Sequence, residues 1–229
     1  MEKNISLSAG KSSPTVSDRI CEDIYCEAVN YERFKPDLKN LLHERFSDLA
    51  IIYYLEKSSG DRILTEPLTY ERIAELGKSE EEIRNTAWKN TILKKRAVMM
   101  PLSEVLRDGF GNEESPLFIL TNEKMHLGAV TMFYPDLMDL IADELDSDLY
   151  IIPSSIHECL LLPEQEDICG EDLKKLIRKV NDTEVDDDEI LSYNIYKYSR
   201  DRRSVTIDNG QNAMLSLSKD RPEDVRQRL

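Results

Sequence analysis

The segment Pro153-Ser154-Ser155-Ile156-His157-Glu158 is the one stretch where a nucleophile, a base and a carboxylate lie together in the sequence. Serine-type hydrolysis needs an imidazole between the hydroxyl it deprotonates and a carboxylate that orients its far nitrogen. In an extended segment, alternate residues share a face, so Ser155 and His157 would point one way and Glu158 the other. The pleat thus turns the carboxylate away from the ring it would have to hold. No strand-to-helix elbow of the G-x-S-x-G kind occurs anywhere in the chain. Turn bonds made by the serine hydroxyls and a hydrogen-bonded histidine are the plainer reading. A hydrolase built on Ser154, Ser155, His157 and Glu158 is the alternative.

Other chemistries find less. The three histidines, His43, His126 and His157, are isolated in sequence, and the cysteines Cys21, Cys26, Cys159 and Cys169 have no C-x-x-C spacing. No zinc site is expected from such spacing, and the thiols read as reduced, small buried hydrophobes. Gly10-Lys11-Ser12 imitates the end of a phosphate-binding loop, yet the earlier glycine would fall at Ile5. There is no G-x-G-x-x-G. Asp186-Asp187-Asp188-Glu189 lacks the alternating oxygen ligands, the glycine and the closing glutamate of a calcium loop. No cofactor and no metal are therefore expected.

Charge is unevenly placed. The 229 residues carry a formal charge of −15, with a net of −1 over residues 1–100, −17 over 101–189 and +3 over 190–229. So negative a window repels phosphate, which argues against direct binding to nucleic acid. It serves either as an ordinary solvated face or as a docking surface for a basic partner. No apolar run approaches the ~20 residues that span a bilayer, and no apolar leader follows Met1. A soluble, cytoplasmic protein is the expectation.

Hydrophobic periodicity supplies the elements that must position these groups. Ile20, Ile24 and Ala28 recur at helical spacing from Ser17, and a second helix is read over Pro36 to Glu44. Residues 48–55 and 62–65 flank a Ser-Ser-Gly-Asp turn as a hairpin. Thr69 caps a helix that stops at Gly77, and Ser79 with Glu82 opens another that runs to about Lys94. Asn90 and Thr91, near its end, read as structural. Val98-Met99-Met100 reads as a strand, Pro101 opens a short helix, and Gly109 and Gly111 break the pattern; Leu117 to Leu120 reads as a strand, and Gly128 to Phe133 as a strand by composition or a helical lead-in. Pro135 starts a helix with Leu137, Leu140, Ile141 and Leu145 on its apolar face and Asp136, Asp139 and Asp143 on its solvated one. Leu149 to Ile152 and Ile156 to Leu162 form a second hairpin; Gly170 opens a helix carrying Leu173, Leu176, Ile177 and Val180. A last hairpin turns about Arg200–Arg203. Short hairpins alternating with helices mean an α+β fold with a largely antiparallel sheet, in two halves that echo each other as hairpin then helix. Residues 1–15 are expected to be a disordered lead-in, 16–208 the domain (with candidate subdomains 16–100 and 101–208), and 209–229 a flexible polar tail.

Several of these residues carry a resemblance. Leu120-Thr121-Asn122, Gly128-Ala129, Tyr134-Pro135, Asp148 through Glu158, and Val180-Asn181 with Val185 resemble an uncharacterised bacterial domain-of-unknown-function family frequent in anaerobic gut Firmicutes. Glu75-Leu76-Gly77 through Ala87, Asn90 and Thr91 are similar to it as well. The resemblance covers about residues 17–200. It implies a shortened member without a further N-terminal portion, and it brings no catalytic residue or cofactor with it. The basic tail is faintly similar to tails of proteins encoded by conjugative elements, which implies a mobile-element origin. The expected function is that of a non-enzymatic interaction module whose acidic face (Asp136, Asp139, Asp143, Asp186, Asp187 and Asp188) meets a basic protein surface, in one version by mimicking nucleic-acid phosphates.

Overall fold

The computed structural model describes residues 15–59, 62–105, 117–164 and 170–207. The Gly10-Lys11-Ser12 segment, Gly109, Gly111, Cys169 and the tail from residue 208 lie outside the described residues. The fold is α+β, built on two antiparallel sheets. In the first, the long β3 (Leu49–Ser59) pairs on one side with β1 (Ile24–Asn30). On its other side lie β2 (His43–Phe46) and β4 (Arg62–Pro67). The second sheet runs β10 (Ser204–Ile207), β9 (Tyr196–Ser199), β7 (Leu149–Ile152), β8 (Cys159–Pro163), β6 (Phe118–Asn122), β5 (Ala97–Pro101).

Both sheets turn one face into a single core. Ile24, Cys26, Ala28, Leu49, Ile51, Tyr53 and Leu55 from the first meet Leu120, Leu149, Ile151, Leu161, Tyr196 and Tyr198 from the second. Helix α4 (Glu80–Lys94) adds Ile83, Ala87, Trp88 and Ile92, and α3 (Tyr70–Leu76) adds Ile73 and Leu76. The alternate residues face outward and need their own covers. Tyr150, Ile152 and Leu162 pack under Leu173 and Ile177 of α7 (Gly170–Glu184). Val29, Ala50 and Ile52 pack under α2 (Tyr31–Leu38). Tyr25 and Tyr54 are covered by Leu127, with Ile156 alongside.

The capping signals place their helices as read: Thr69 accepts from the Arg72 N–H, Gly77 adopts φ 65°, and Ser79 and Glu82 close a capping box. Elsewhere the structure corrects the sequence. Helix α1 (Val16–Cys21) stops after six residues, and Ile24, Cys26 and Ala28 form a strand. A strand buried on both faces is apolar at nearly every position, so a four-residue spacing is met without any helix. The helix read over 36–44 is instead α2, with Pro36 in its last turn, followed by β2. Gly128–Phe133 is a buried 3-10 helix, the helical one of its two readings. Helix α6 (Leu137–Glu144) begins past Pro135, after Asp136 at φ 58°; it buries Met138, Ile141 and Ala142, packs Leu137 and Leu145 against the core as read, and leaves Leu140 exposed. The short helix expected after Pro101 is present as α5 (Leu102–Val105), directly after β5.

The outer edge of β1 is closed by α4. The Cys26 N–H donates to Thr91 Oγ1 at 2.9 Å, while Asn90 Nδ2 donates to the carbonyls of Cys21 and Ile24, each at 2.9 Å. Unpaired strand edges invite other chains, and two side chains here satisfy the groups a further strand would have used.

Candidate functional site

The His157 segment is irregular, and its neighbours explain its shape. After β7 the chain runs past Pro153 and bridges Ser155 to Ile190, then re-enters a strand only at Cys159. The strand read from Ile156 therefore starts three residues late. Backbone bonds tie it on both sides. Leu191 N–H donates to Ser154 O at 3.1 Å, Ile156 N–H to Glu189 O at 2.9 Å, and Gly128 N–H to His157 O at 3.0 Å. Thr121 Oγ1 donates to the same His157 carbonyl at 2.7 Å.

Both nitrogens of the imidazole are engaged. Nδ1 accepts from the Leu127 N–H at 3.1 Å, and Nε2 lies 3.1 Å from Glu189 Oε1. A backbone N–H can only donate, so Nδ1 carries no proton and Nε2–H donates to the carboxylate. Ser155 Oγ accepts from the His157 main-chain N–H at 2.9 Å, and the Ser155 hydroxyl also bonds Glu158. Burial holds the Glu158 carboxyl above its usual range, opposed by His157. Ser154 is buried. The structure thus brings Ser155, His157 and Glu158 together, but the carboxylate on the ring is Glu189 and the fourth partner is a peptide group. Among the described residues no serine hydroxyl bonds the His157 ring, so the geometry is that of a structural crosslink.

A larger titratable cluster lies beneath. Lys95, at the C-terminal cap of α4, is buried with Nζ 2.7 Å from Glu56 Oε2 and in hydrogen-bond contact with Tyr54 Oη. The same ammonium lies 4.4 Å from the centre of the Tyr25 ring. Burial lowers the Lys95 pKa, against the pull of Glu56. Glu27 on β1 keeps some solvent contact yet is crowded by protein; desolvation pushes its pKa up to about 7, with Lys95 opposing. His126 stacks on His157 at 5.1 Å between ring centres, and burial, His157 and Lys95 depress its pKa. Sequence reasoning missed Lys95, Glu27, Glu56 and Glu189 because they come from four separate elements. In the run Lys94-Lys95-Arg96, a cation at a helix C-terminus looks like ordinary dipole compensation.

Glu27 makes a signed prediction. Unfolded, the carboxyl titrates near 4.5; folded, it does so near 7. Between these values the folded state holds the extra proton, so this group's penalty is full above pH 7 and fades as the pH falls to 4.5. Glu27→Gln is expected to raise stability by about 2–3 kcal/mol at mildly alkaline pH and by almost nothing at the acid end. Urea denaturation at the two pH values checks it.

A model of DUF5688, described as a family of unknown function, matches residues 4–200. The chain belongs to that family. No curated protein and no solved structure matches it. Placed on the fold, several residues that carried the resemblance in this DUF5688 chain tie side chains or peptide groups to the backbone of other segments. Thr121 and Gly128 hold the His157 carbonyl, Asn90 and Thr91 close β1, and Tyr134 Oη donates to Lys95 O at 2.7 Å. Asn181 Nδ2 donates to Ser192 O at 2.9 Å.

The acidic residues of this DUF5688 chain divide into two groups. Asp186, Asp187 and Asp188 are exposed in the turn after α7. On α6, Asp136 is exposed, whereas Asp139 is half-buried, accepting from Tyr198 Oη and lying 3.5 Å from Arg203 Nη1. Burial raises the Asp139 pKa. Asp139 is therefore not wholly on the solvated face assigned to it. Arg200 reaches Asp143 at 3.4 Å and Asp146 at 2.7 Å. Around these, a hollow of about 560 Å³ is lined by Asp143, Asp146, Asp148, Glu164, Asp201 and Arg200, with Ser147 at its rim. Lys197 pairs with Glu164 and Asp148 beside it.

The described cysteines Cys21, Cys26 and Cys159 are buried thiols, and desolvation raises the thiol pKa of Cys21 and Cys159. Among the described residues no group of three or more His, Cys, Asp and Glu is arranged to hold a metal. No helix there is long and apolar enough to cross a membrane.

Proposed function

We propose that the protein is a cytoplasmic, non-enzymatic docking module that takes a basic segment of a protein partner at the hollow formed by the α6–β7 turn, the end of β8 and the β9–β10 turn. The observation that carries the reading is the charge of that hollow: five carboxylates line it, against Arg200 inside and Lys197 beside it. Such an excess in a concavity focuses negative potential and speeds encounter with a cationic chain. The His157 crosslink and the paired Lys95 favour binding over bond-making, since neither leaves a base facing a nucleophile. Mimicry of nucleic-acid phosphates on a defence enzyme is the particular version of this reading.

A ten-residue peptide of alternating lysine and arginine is the probe, followed by calorimetry at low salt. The triple variant Asp143→Asn, Asp146→Asn, Asp201→Asn is expected to weaken binding about ten-fold and to flatten its salt dependence. Removing the same number of charges with Asp186→Asn, Asp187→Asn, Asp188→Asn is expected to change it less than about two-fold. Equal losses from the two variants, or no binding by the native protein, would refute the hollow as the docking surface.

A further inference from the structure

We infer that residues 123–127 form a strap latched shut by His157 acting as a hydrogen-bond acceptor, and that protonation of that imidazole unlatches it. The strap joins β6 to the 3-10 helix and carries two non-glycine residues in the left-handed region, Met125 at φ 51° and Leu127 at φ 52°. Side chains other than glycine resist that conformation, so it persists only where its surroundings enforce it. Asn122 provides part of the enforcement: its Nδ2 donates to His126 O at 2.8 Å, and its Oδ1 accepts from Lys124 N–H at 2.9 Å. The Met125 N–H donates to Asn122 O at 2.8 Å and the Glu123 N–H to Arg96 O at 3.0 Å, while the far end is held by Leu127, through its side chain buried on Tyr25 and Tyr54 and its N–H on His157 Nδ1.

The last of these contacts depends on a proton. An imidazolium carries hydrogen on both nitrogens, so Nδ1–H would face the Leu127 N–H and the latch becomes a donor–donor clash. Glu189 Oε1 lies 3.1 Å from Nε2 and accepts from the neutral and the charged ring alike, so the ring stays in place when the latch opens. The other groups facing the pair come from several elements. Glu158 flanks His157, Glu56 and Lys95 lie beneath His126, and Lys124 on the strap lies 3.8 Å from Glu56. His126 stacked on a charged His157 meets further repulsion from Lys95. Release would uncover the Tyr25–Tyr54 pair and the Lys95–Glu56 ion pair, with the exposed Met125 at the tip of the moving segment.

Amide hydrogen exchange and nitrogen NMR on the full chain test this at about pH 7.5 and about pH 5.5. At the higher pH the His157 ring is expected to show a bare Nδ1 and a protonated Nε2. After correction for intrinsic pH dependence, the Leu127 amide should exchange about ten-fold or more faster at the lower pH, while Ile51 and Tyr53 in β3 stay protected. His157→Asn offers a non-titrating side-chain oxygen and should abolish the pH dependence; His157→Phe should leave the strap unlatched at both values. A proton on Nδ1 at the higher pH overturns the inference. So does unchanged Leu127 protection, or β3 amides that loosen in step with it. The ring measurement needs no variant, so it stands even if a substituted chain fails to fold.

Discussion

Lys95→Met is expected to destabilise the protein by about 3–5 kcal/mol, read as the loss in unfolding free energy by urea denaturation near neutral pH. For a chain of this length that is a fall in melting temperature of roughly 10 °C. Methionine keeps most of the volume, so the cost is electrostatic. It leaves the Glu56 carboxylate, only 14% exposed, with Lys124 at 3.8 Å as its sole remaining cation among the described residues. It also removes the ammonium from the Tyr54 hydroxyl and from the rings of Tyr25 and Tyr54, at 4.4 and 5.0 Å. The double variant Lys95→Met, Glu56→Leu is expected to recover most of the loss, since replacing a buried pair by apolar groups is often near neutral. No recovery in the double variant would mean that packing and not charge holds this corner.

Gly128→Ala is expected to cost about 3 kcal/mol or more, from steric conflict. A Cβ there would lie 2.2 Å from Thr121 Oγ1, 2.6 Å from His157 O and 2.8 Å from Asn122 N. Two of those atoms are backbone and cannot swing aside. Relief has to come from pushing the His157 carbonyl away, which breaks the bonds from Thr121 and from Gly128 itself. The expected signature is a large drop in the urea midpoint together with a changed Leu127 amide shift. A stable Gly128→Ala protein with a native spectrum would show that the 3-10 helix and the His157 segment are not in the close contact described.

The legible parts of this fold are those whose signals are local. Thr69, Gly77, Ser79 and Glu82 mark helix ends through one or two hydrogen bonds within a few residues, so their sequence spacing suffices. Hairpins are similarly local, as in the β3–β4 pair with Tyr54 opposite Pro67 and Ser59 opposite Arg62. What failed depended on burial. β1 lies in the interior with both faces covered, and complete burial erases the polar beats that separate a strand from a helix. On α6 three of the four expected apolar residues do pack inward; Leu140 does not, and Met138 and Ala142 take core contacts beside Ile141 instead. The candidate site was legible only in its local half. Ser155, His157 and Glu158 are neighbours in sequence, whereas Glu189 is 32 residues further on and Leu127 acts through its peptide group, which no side-chain pattern reports. Lys95 and Glu56 are brought together across 39 residues by the packing of α4 on the first sheet. The charge window was legible from composition, but not that Asp143 and Asp146 pair with Arg200 while lining a hollow, or that Asp139 reaches Arg203.

Mapping on the residue scale tests whether, as proposed, a cationic segment binds at the hollow and His157 has no part in it. The isotope-labelled full chain is titrated with the lysine–arginine peptide at low salt while every amide signal is followed. Shifts are expected to concentrate at residues 143–148, 164 and 200–201 and to be lost at high salt, with the His157 and Leu127 signals unmoved. Shifts centred on 155–158 and 123–127, or spread evenly over the exposed acids, would contradict it.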